Sequence, residues 1–456
     1  MFRRVAIIGG GAAGAALLSE LISRAPASGL HLDWFTGGNG KPGRGVAYGT
    51  ESPRHLLNVR AASMSMFAGK PSGFLDFAQQ GDRGLAGTDF LPRRMYGDYL
   101  EAELAQALAQ ARSRGVDVRV LSRAADAVVP EHDGVTVIHG EDSTRVDAAV
   151  LALGALPAQP LGGVDRDAVA SGRYVVDPWP LLAQAPADPA PRHVVLIGLG
   201  LTAVDVLLEL SARWPQARFT AISRHGRLPE AHLPLSTAPA DDGGELVEAM
   251  SDDPSIRRWM RLLREAIAAN RDWRVVIDSL RRHTPGLWAG LPGAERARFL
   301  RHARWAWERA RHRMPPQVVE GITALEHSGR LRRRRGRMTT VRRAGDGLQL
   351  TFNPGGGGAP ETLSADWVIQ TVGLDTDVRR TPHQLVRQLV TNQHITPDPL
   401  GLGCQSTPDG RLCREGEPWS RLFAIGSLLR GTLWESTAMP EIRQQARGIV
   451  GQLLAD

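Results

Sequence analysis

One hydrophobic pattern occurs twice along the chain, and each copy consists of a short apolar run, a glycine cluster and an amphipathic stretch. The first copy has the apolar residues 5–8 and the glycine-rich residues 9–14, and the second has the apolar residues 194–197 and residues 198–203. A β-branched run predicts a buried strand, glycines predict a tight turn, and the apolar periodicity that follows predicts a helix. The pattern therefore predicts two strand–turn–helix units, roughly one domain length apart.

The glycine clusters have the spacing of a dinucleotide-binding turn. The first glycine makes the bend, the second lets the backbone approach a pyrophosphate, and the third position lets the helix pack closely on the strand. The pyrophosphate then meets unpaired amides and the positive end of the helix dipole. The predicted cofactor-binding residues are Gly9, Gly11, Ala12, Ala13 and Gly14 in the first unit and Gly198, Gly200 and Thr202 in the second. Two such turns favour a flavin and a nicotinamide cofactor on one chain.

The residues after the second strand of each unit bear on the nucleotide. The strand predicted over residues 30–35 ends at Thr36, where dinucleotide sites usually place an acid that binds the ribose. The strand predicted over residues 218–222 ends in Ser223 and Arg224, and an arginine there favours the 2′-phosphate of NADPH over NADH. A solvated arginine at a strand end is the alternative interpretation.

A glycine-rich loop, residues 42–48, follows the first unit and is well placed to cover a pyrophosphate. Its candidate cofactor contacts are Arg44 and Gly45. Farther on, the pattern predicts more strands and helices. We expect helices near 71–80, 97–113 and 436–454, with Pro440 tolerated in the first turn of the last one, and strands over 148–154, 367–373 and 422–427.

These elements predict an α/β fold with two Rossmann-like dinucleotide-binding domains, the second inserted in the first. The predicted FAD-binding domain is discontinuous, over residues 1–165 and 366–456, and the NAD(P)H-binding domain covers residues 190–365. A helical insertion with five tryptophans is expected at about 244–327, and its aromatic residues are interpreted as core. The six arginines within residues 330–337 precede alternating apolar residues, which favours a solvent-facing strand edge over a nucleic-acid site.

Composition limits the class of protein. The chain has 456 residues, 42% of them hydrophobic and 23% charged, as in soluble globular proteins. The net charge of +7 is spread along the chain, so we expect no nucleic-acid partner. No apolar stretch reaches the length of a membrane span, and we expect a cytoplasmic protein. Cys404 and Cys413 are the only cysteines and give neither a disulfide framework nor a metal site.

Several sequence blocks together resemble the bacterial FAD/NAD(P)-binding flavoproteins that have two dinucleotide-binding domains and a Gly-Arg-Gly-Val-Ala-Tyr loop. The blocks, which span nearly the whole chain in order, are residues 43–48, 56–59, 92–97, 198–205 with 223–224, 311–314 and 431–443. The resemblance implies FAD on the first unit and NADPH on the second. It also implies that Gly426 and Ser427 lie at the ribityl chain, with Ser427 in place of the usual acid, and that the next helix points its N-terminus at the flavin pyrimidine, where amides stabilise negative charge.

The chain lacks the sequence signatures of two other classes of flavoprotein, which limits the reactions that the resemblance implies. Disulfide reductases of this architecture need a thiol pair beside the flavin, and residues 171–180 lack the histidine of the Baeyer–Villiger signature. The chain is most similar to N-hydroxylating and related single-component flavin monooxygenases. In these, NADPH reduces FAD, oxygen adds to it, and a flavin hydroperoxide oxygenates a small metabolite. A flavin reductase or oxidase without oxygen transfer, and a non-catalytic flavin-binding module, remain as alternatives.

The candidate catalytic residues are Asn58 and His312. Asn58 follows the flavin loop and is a candidate hydrogen-bond donor near the reactive edge, or a turn-forming asparagine. His312 stands between two arginines, so it is a candidate acid or base, a part of an anion-binding trio, or a part of a structural ion-pair cluster. Trp434 and Glu435 are candidates for the border of the flavin ring, or for packing and helix capping. The expected partners are a small-molecule substrate and O2, and no metal is expected.

Overall fold

The computed structural model describes residues 2–26, 29–38, 41–184, 189–233, 243–269 and 272–455. Two large sheets and one small sheet organise these residues. The elements of the first part of the chain are β1 (Arg4–Ile8), α1 (Ala12–Arg24), β2 (Leu30–Phe35), α2 (Gly45–Tyr48), α3 (Gly73–Gly81), α4 (Arg93–Ala111), β3 (Val116–Leu121), β4 (Ala127–Pro130), β5 (Val135–His139), β6 (Asp142–Val146), β7 (Ala148–Leu151), α5 (Arg166–Ala170), β8 (Tyr174–Val175) and α6 (Pro178–Ala183).

The middle of the chain is mostly helical. Its elements are β9 (His193–Ile197), α7 (Leu201–Arg213), β10 (Arg218–Ser223), α8 (Gly244–Asp252), α9 (Ile256–Ala268), α10 (Trp273–Ser279), α11 (Thr284–Gly290), α12 (Gly293–His302), α13 (Arg304–Arg311) and α14 (Pro316–His327). The last part consists of β11 (Leu331–Ala344), β12 (Gly347–Pro354), β13 (Glu361–Ala365), β14 (Trp367–Gln370), α15 (Gln384–Thr391), β15 (Arg411–Arg414), β16 (Glu417–Ala424), α16 (Arg430–Leu433) and α17 (Met439–Leu454).

The first sheet has the strand order β15-β16-β7-β1-β2-β3 and is parallel except for β15. Apolar side chains on one face of β1 and β2 pack against α1, α4 and α17 in a continuous core. The other face is covered by the small sheet β4-β5-β6 and by α15. Because helices or a second layer cover both faces, its central strands are buried throughout, which is why they appear in the sequence as unbroken apolar runs.

The second sheet has the order β13-β12-β11-β10-β9-β14-β8. Strands β8, β14, β9, β10 and β11 are parallel, and β12 and β13 extend the sheet as an antiparallel hairpin. Helices α7 and α14 pack on one face of this sheet. The structure therefore confirms the predicted α/β class with two Rossmann-like units.

The predicted domain boundary at residue 366 does not agree with the sheet pairing. Strand β14 pairs with β9, with Trp367 opposite Val194, so it belongs to the second sheet. Strand β8, which precedes the predicted start at residue 190, pairs with β14. The predicted boundary is misplaced because β14 in the second unit corresponds to β7 in the first. The two strands have the same apolar pattern, and the pattern alone does not show which sheet each strand joins.

The predicted helical insertion is present as α8 to α13, whereas α14 is the crossover helix of the second unit, since it packs against α7. Core placement is confirmed for Trp288, which is buried, and Trp259 and Trp307 pack against the same clusters. Trp305 is different because its ring stacks on His225, 4.1 Å between centroids. The insertion also packs on the C-terminal part of the first unit through Trp434.

The arginine run forms the first half of β11, which is an inner strand of the sheet and not an outer one. Its residues 331–335 pair with β10, and its second half pairs with β12. Most of the arginine side chains are exposed. The prediction of a strand with solvent-facing arginines is thus correct, but the prediction of a sheet edge is wrong, because β12 and β13 continue the sheet beyond it.

Within the described ranges, no helix combines the length and the apolar character that a membrane crossing requires. Among the same residues, no group of three or more His, Cys, Asp or Glu is arranged to hold a metal ion. Both cysteines are buried free thiols, and burial raises the pKa of Cys404 to about 12. They therefore do not form the reactive pair that a disulfide reductase would need.

Candidate active site

The first glycine turn has the geometry that the sequence predicts. Gly9 has φ +131°, and a Cβ at this position would lie 2.1 Å from the carbonyl oxygen of Ala152. A Cβ at Gly14 would lie 2.1 Å from the oxygen of Gly9, so the helix approaches the strand only because residue 14 has no side chain. Gly11 is the N-cap of α1, and the first amides of the helix have no partner within it. These amides form the first cradle, which we define as residues 9–14.

The glycine-rich loop lies over this cradle. The amide of Gly43 donates to the oxygen of Gly10 at 2.8 Å, and a Cβ on Gly45 would lie 3.2 Å from the Cα of Gly11. The backbone of the loop therefore contacts the turn, and the contact of Gly45 with a cofactor stays a prediction.

The side chain of Arg44 points away from the cradle and anchors the loop on α4. Its Nε donates to Glu101 at 2.7 Å and its Nη2 to Asp98 at 2.5 Å, and the residue is buried. The hydrogen bond to Glu101, together with Asp98 and both negative charges, raises the pKa of Arg44 despite the opposing effect of burial. A pyrophosphate contact by Arg44 stays a prediction, and the pairing observed assigns its guanidinium a structural role first.

Two polar residues that follow strands of the first sheet, Thr36 after β2 and Ser427 after β16, hydrogen-bond to backbone oxygens. The hydroxyl of Thr36 donates to the oxygen of Leu121 at 3.4 Å. The hydroxyl of Ser427 donates to the oxygen of Gly154, which joins the end of β16 to the segment after β7. The amide of Gly426, which has φ +89°, donates to Gln445 of α17 at 2.9 Å. Gly426 therefore lies beside α17, and this helix begins at the same carboxyl edge of the sheet.

The second glycine turn repeats the geometry of the first. Gly198 has φ +118°, and its Cβ would lie 2.3 Å from the carbonyl oxygen of Thr371, next to β14. Gly200 is the N-cap of α7, and a Cβ there would meet no heavy atom within 4 Å. Thr202 follows in the first turn of the helix. We call residues 198–203 the second cradle, and its central glycine faces open space.

A cluster of arginines surrounds the end of β10. In the sheet register Ser223 lies opposite Arg335, so β11 adds this side chain to those of Arg224 and Arg227. All three arginines are exposed, and none forms an ion pair with a carboxylate in the described ranges. Burial and the charges of all three lower the pKa of His225, which lies among them. We call these residues the arginine cluster.

The hydroxyl of Ser223 accepts a hydrogen bond from the amide of Gly226 at 3.0 Å, which shapes the turn after β10. That bond leaves the hydroxyl proton available for a ligand. Sequence reasoning identified Ser223 and Arg224 but missed Arg335, which lies more than 100 positions farther along the chain. The signal was present in the arginine run, and only the pairing of β11 with β10 places one member of that run beside the turn.

Residues 56–58 form a seam between the two units. Leu57 is buried in the core of the first unit, while Leu56 packs against the core of the second. The backbone oxygen of Asn58 accepts a hydrogen bond from Nε2 of His232 at 3.1 Å. The side chain of Asn58 is half-buried and makes no hydrogen bond to a described residue. Asn58 thus lies between the units with its amide available, and a catalytic role for it stays a prediction.

His232 was not identified by sequence reasoning, yet it connects two predicted blocks. Its amide donates to the oxygen of Met314 at 2.9 Å, while its ring donates to Asn58. Burial first, and then the charges of Arg313, Arg60 and Arg311, lower its pKa to about 3. The imidazole is therefore neutral at pH 7 and acts as a hydrogen-bond donor through Nε2. No motif marks this histidine, and its position depends on the tertiary arrangement alone.

His312 points elsewhere. Its Nδ1 lies 2.6 Å from Glu308 on its own helix, and Arg430 contacts the same carboxylate at 2.7 Å. Burial alone would raise the pKa of Glu308, but the hydrogen bond from His312 and the charges of His312, Arg430 and Arg304 lower it to about 2. The flanking Arg311 is paired with Glu435 at 3.1 Å. Arg313 pairs with Asp278, so the trio forms an ion-pair cluster. Asn58 contacts His232, whose pKa Arg311 and Arg313 lower, whereas the ring of His312 pairs with Glu308.

Trp434 is buried and stacks on Trp288 at 4.9 Å, which supports packing as its role. Glu435 accepts hydrogen bonds from Trp307 at 3.0 Å and from Arg311. It thereby joins the helical insertion to the segment that precedes α17.

A cavity of about 760 Å³ lies between α10, the segment after it, and the first turns of α17. An ion pair between Arg281 and Glu441, at 2.8 Å, spans it. Four carboxylates and two arginines line the cavity together with apolar side chains; the charged residues are Asp278, Asp409, Glu435, Glu441, Arg281 and Arg282. Its lining combines the insertion with the C-terminal part of the first unit, so sequence patterns within either segment alone do not predict it.

Comparisons with known proteins agree with this architecture. Residues 6–156 match a protein family described as FAD-NAD(P)-binding, and this range corresponds to the N-terminal part of the first unit. No protein of curated function matches the chain.

Several solved structures are similar over nearly the whole chain. Ornithine N-hydroxylase from Kutzneria sp. 744 has 17% sequence identity and a TM-score of 0.67, with 99% of each chain covered. L-lysine 6-monooxygenase from Pseudomonas syringae has 16% identity and a TM-score of 0.66, also with 99% of each chain covered. Ornithine hydroxylase from Pseudomonas aeruginosa has 18% identity and a TM-score of 0.64, with 99% of each chain covered. At these identities the likeness establishes the fold, a pair of Rossmann-like dinucleotide-binding units.

Proposed function

We propose that the protein is a FAD- and NADPH-dependent monooxygenase that oxygenates a small metabolite. The observation that carries the proposal is the presence of two glycine cradles of equal geometry on one chain, of which only the second has an arginine cluster beside it. Two equal cradles suit two dinucleotides, and the unequal surroundings suit a difference in the phosphates that the two ligands carry.

The residues of the first cradle fit FAD. A helix N-terminus with unpaired amides faces the space beside Gly11, and Gly45 approaches so closely that a Cβ on it would lie 3.2 Å from the Cα of Gly11. The covering loop is anchored by Arg44 on α4, which suits a ligand that stays enclosed. The match of residues 6–156 to a FAD-NAD(P)-binding family supports the same assignment.

The residues of the second cradle fit NADPH. The open position of Gly200 allows a pyrophosphate to approach the N-terminus of α7. Three arginines that pair with no carboxylate of the described residues lie at the end of β10, where a 2′-phosphate would find charge-assisted hydrogen bonds. We infer that Arg224 and Arg335 bind this phosphate, and that Ser223 donates its free hydroxyl proton.

When bound, FAD supplies the electron transfer and the oxygen chemistry. The protein binds, orients and excludes water. The start of α17 offers amide dipoles to negative charge, and the neutral ring of His232 holds the backbone of Asn58 in place. The seam between the units is packed by Leu56 and Leu57, which limits water at the junction of the two cradles.

We infer that the cavity beside α17 takes the substrate. Each of its four carboxylates is paired with an arginine, so the lining presents both signs of charge, which suits a small amine that also carries a carboxylate. The similar structures include an ornithine N-hydroxylase and an L-lysine 6-monooxygenase, and both of these amino acids have a nucleophilic side-chain amine. The proposed partners are therefore a small amine and O2.

The test uses freshly purified protein loaded with FAD. NADPH is added without oxygen, and the visible spectrum reports reduction of the flavin. Oxygen is then admitted with ornithine, lysine or cadaverine, and both the hydroxylated amine and hydrogen peroxide are measured. Hydroxylated product equal to a large part of the NADPH consumed supports the proposal.

The same experiment can contradict the proposal in two ways. Hydrogen peroxide alone, with every amine in the panel, would assign the protein to the reductases or oxidases. Failure to bind FAD at all would favour the non-catalytic binding module.

A further inference from the structure

Next to the seam, two short segments of the first unit pair with each other. The amide of Leu57 donates to the oxygen of Leu91 at 2.9 Å, and the amide of Arg93 donates to the oxygen of His55 at 2.8 Å. Leu56 and Pro92 form an isolated antiparallel bridge between these hydrogen bonds. This contact holds the seam and the first residue of α4 in one rigid piece.

From this piece the side chain of Arg93 reaches into the second unit. Its Nη2 lies 2.7 Å from the Oδ2 of Asp205 on α7, and its Nε donates to the oxygen of Leu56 at 3.2 Å. The side chains of Arg93 and Asp205 are only 13% and 8% exposed. Asp205 lies five residues after Gly200, within the second turn of the helix whose N-terminus forms the second cradle.

A buried ion pair of this kind is poorly explained by stability. Removing two charges from water costs about as much as their attraction returns, so apolar residues of similar size often stabilise a protein equally well. What the pair supplies is a defined geometry, because guanidinium and carboxylate meet in few orientations. Here that geometry relates the seam, next to the first unit, to the helix that begins at the second cradle.

On this basis, and resting on the proposed function, we propose that Arg93 and Asp205 are positioning residues that set the distance between the two cofactors for hydride transfer. Neither residue touches a reacting atom. Each acts through α7, whose displacement would move the nicotinamide relative to the flavin. A misplacement of about 1 Å can lower the rate of such a step on the order of 100-fold.

A second polar contact on the same helix provides a matched control. Glu209, one turn farther from the cradle, accepts a hydrogen bond from Ser52 at 2.5 Å and pairs with Arg54 at 3.6 Å. It joins the same two units through the same helix. The side chain of Arg54 is 49% exposed, however, so solvent weakens this pair.

The experiment compares Asp205→Asn with Glu209→Gln in the FAD-loaded enzyme. Anaerobic stopped-flow mixing gives the rate of flavin reduction at saturating NADPH and the Kd for NADPH, and NADPH with deuterium at the transferred position gives the isotope effect. We expect Asp205→Asn to lower the rate roughly 10- to 100-fold, with an increased isotope effect and nearly unchanged Kd and FAD content. Glu209→Gln is expected to stay within about three-fold of the wild type.

Arg93→Lys keeps the charge but loses the planar fork, and we expect it to lie between wild type and Asp205→Asn. It also serves if Asp205→Asn fails to fold. A wild-type rate in Asp205→Asn, an equal loss in Glu209→Gln, or a loss that is entirely accounted for by released FAD would each overturn the positioning role. If NADPH does not reduce the flavin of the wild-type enzyme, the proposed function fails. The positioning role is judged separately, from the ratio of the variant rate to the wild-type rate.

Discussion

The two cradles have the same backbone frame but different surroundings. Each has a glycine with positive φ packed on a carbonyl oxygen of the neighbouring strand segment, and each is followed by a helix of 13 residues with a glycine N-cap. The first cradle is covered by the loop that contains Arg44, whose charge is neutralised by two carboxylates. The second is open at Gly200, and the arginine cluster beside it pairs with no carboxylate in the part of the chain that the structure describes.

The difference separates the parts of a dinucleotide site that shape the backbone from those that select the ligand. Both cradles need the turn glycine, because a side chain there would collide with a carbonyl oxygen. Only the first also needs glycine at its last position, whereas the second has the buried Ala203. A covered cradle suits a cofactor that stays bound, and an open one with free charge suits a cofactor that exchanges in each cycle.

We expect the largest effect from a substitution at Gly14, the last position of the first cradle. Gly14→Ala would put a Cβ 2.1 Å from the oxygen of Gly9 and 3.2 Å from the indole nitrogen of Trp34. We expect loss of bound FAD, measured from the visible spectrum of the purified protein, and a destabilisation on the order of 1–3 kcal/mol in thermal unfolding. The matched change in the second unit, Ala203→Gly, should retain FAD and cost about 1 kcal/mol. A Gly14→Ala protein that keeps its full flavin content would show that the two last positions are equivalent.

The next effect tests the arginine cluster. Arg335→Ala should raise the KM for NADPH roughly 10- to 100-fold and leave the KM for NADH unchanged, because it removes a charge-assisted hydrogen bond to the 2′-phosphate. Arg337→Ala is the control, since Arg337 is exposed on the same strand but lies beyond the part that pairs with β10. Equal effects on both coenzymes would remove Arg335 from the phosphate site, and an unchanged coenzyme preference in Arg224→Ala would likewise contradict the NADPH assignment.

A smaller effect concerns His232, which lies between the two units. Its pKa is lowered from 6.5 to about 3 in the folded protein, so below pH 6.5 the unfolded chain takes up a proton that the folded protein does not. Folding stability therefore falls as the pH decreases from 6.5 to 3. In His232→Gln this contribution is absent, and we expect the loss of unfolding free energy between pH 7 and pH 5 to be smaller than in the wild type by on the order of 1–2 kcal/mol. Parallel urea-unfolding curves at the two pH values measure the difference, and identical pH dependence in both proteins would contradict a neutral buried ring.

The smallest effect concerns His312. Because its ring pairs with Glu308 on its own helix and is 40% exposed, His312→Gln should change kcat/KM less than about two-fold. Asn58→Ala is the informative comparison, since the Asn58 amide lies at the seam without a described partner. A large loss of activity in His312→Gln, under conditions in which the protein stays folded, would restore this histidine as a catalytic residue.

Much of the fold could be predicted because it depends on local patterns. The turn at Gly9 requires a positive φ and a close approach to Ala152, and the start of α17 tolerates Pro440, so both produce recognisable sequences. Strand β14 shows the limit of such reasoning. Its pattern predicted a strand correctly, but the sheet that it joins depends on pairing with β9, a contact over more than 170 residues.

The candidate site was predictable to the extent that it consists of backbone. Asn58 and His312 were both plausible from residue type, and the tertiary structure separates them by showing that His312 belongs to an ion-pair cluster. His232 was missed because it belongs to no motif, and Arg335 because the pattern does not distinguish it from the other arginines of its run. Each acquires its role from a residue far away in the chain, Asn58 in one case and Ser223 in the other.

The sequence by itself determined the two cradles, since glycine spacing and apolar periodicity act over a few residues and hardly depend on the rest of the chain. Only the tertiary structure decided which charges surround each cradle and how the two are joined. Arg44 is neutralised by residues of α4, the arginine cluster is completed by β11, and Arg93 reaches Asp205 across the units. Side-chain charges act through space over several ångströms, so their effect is fixed by the packing of distant segments and not by their order along the chain.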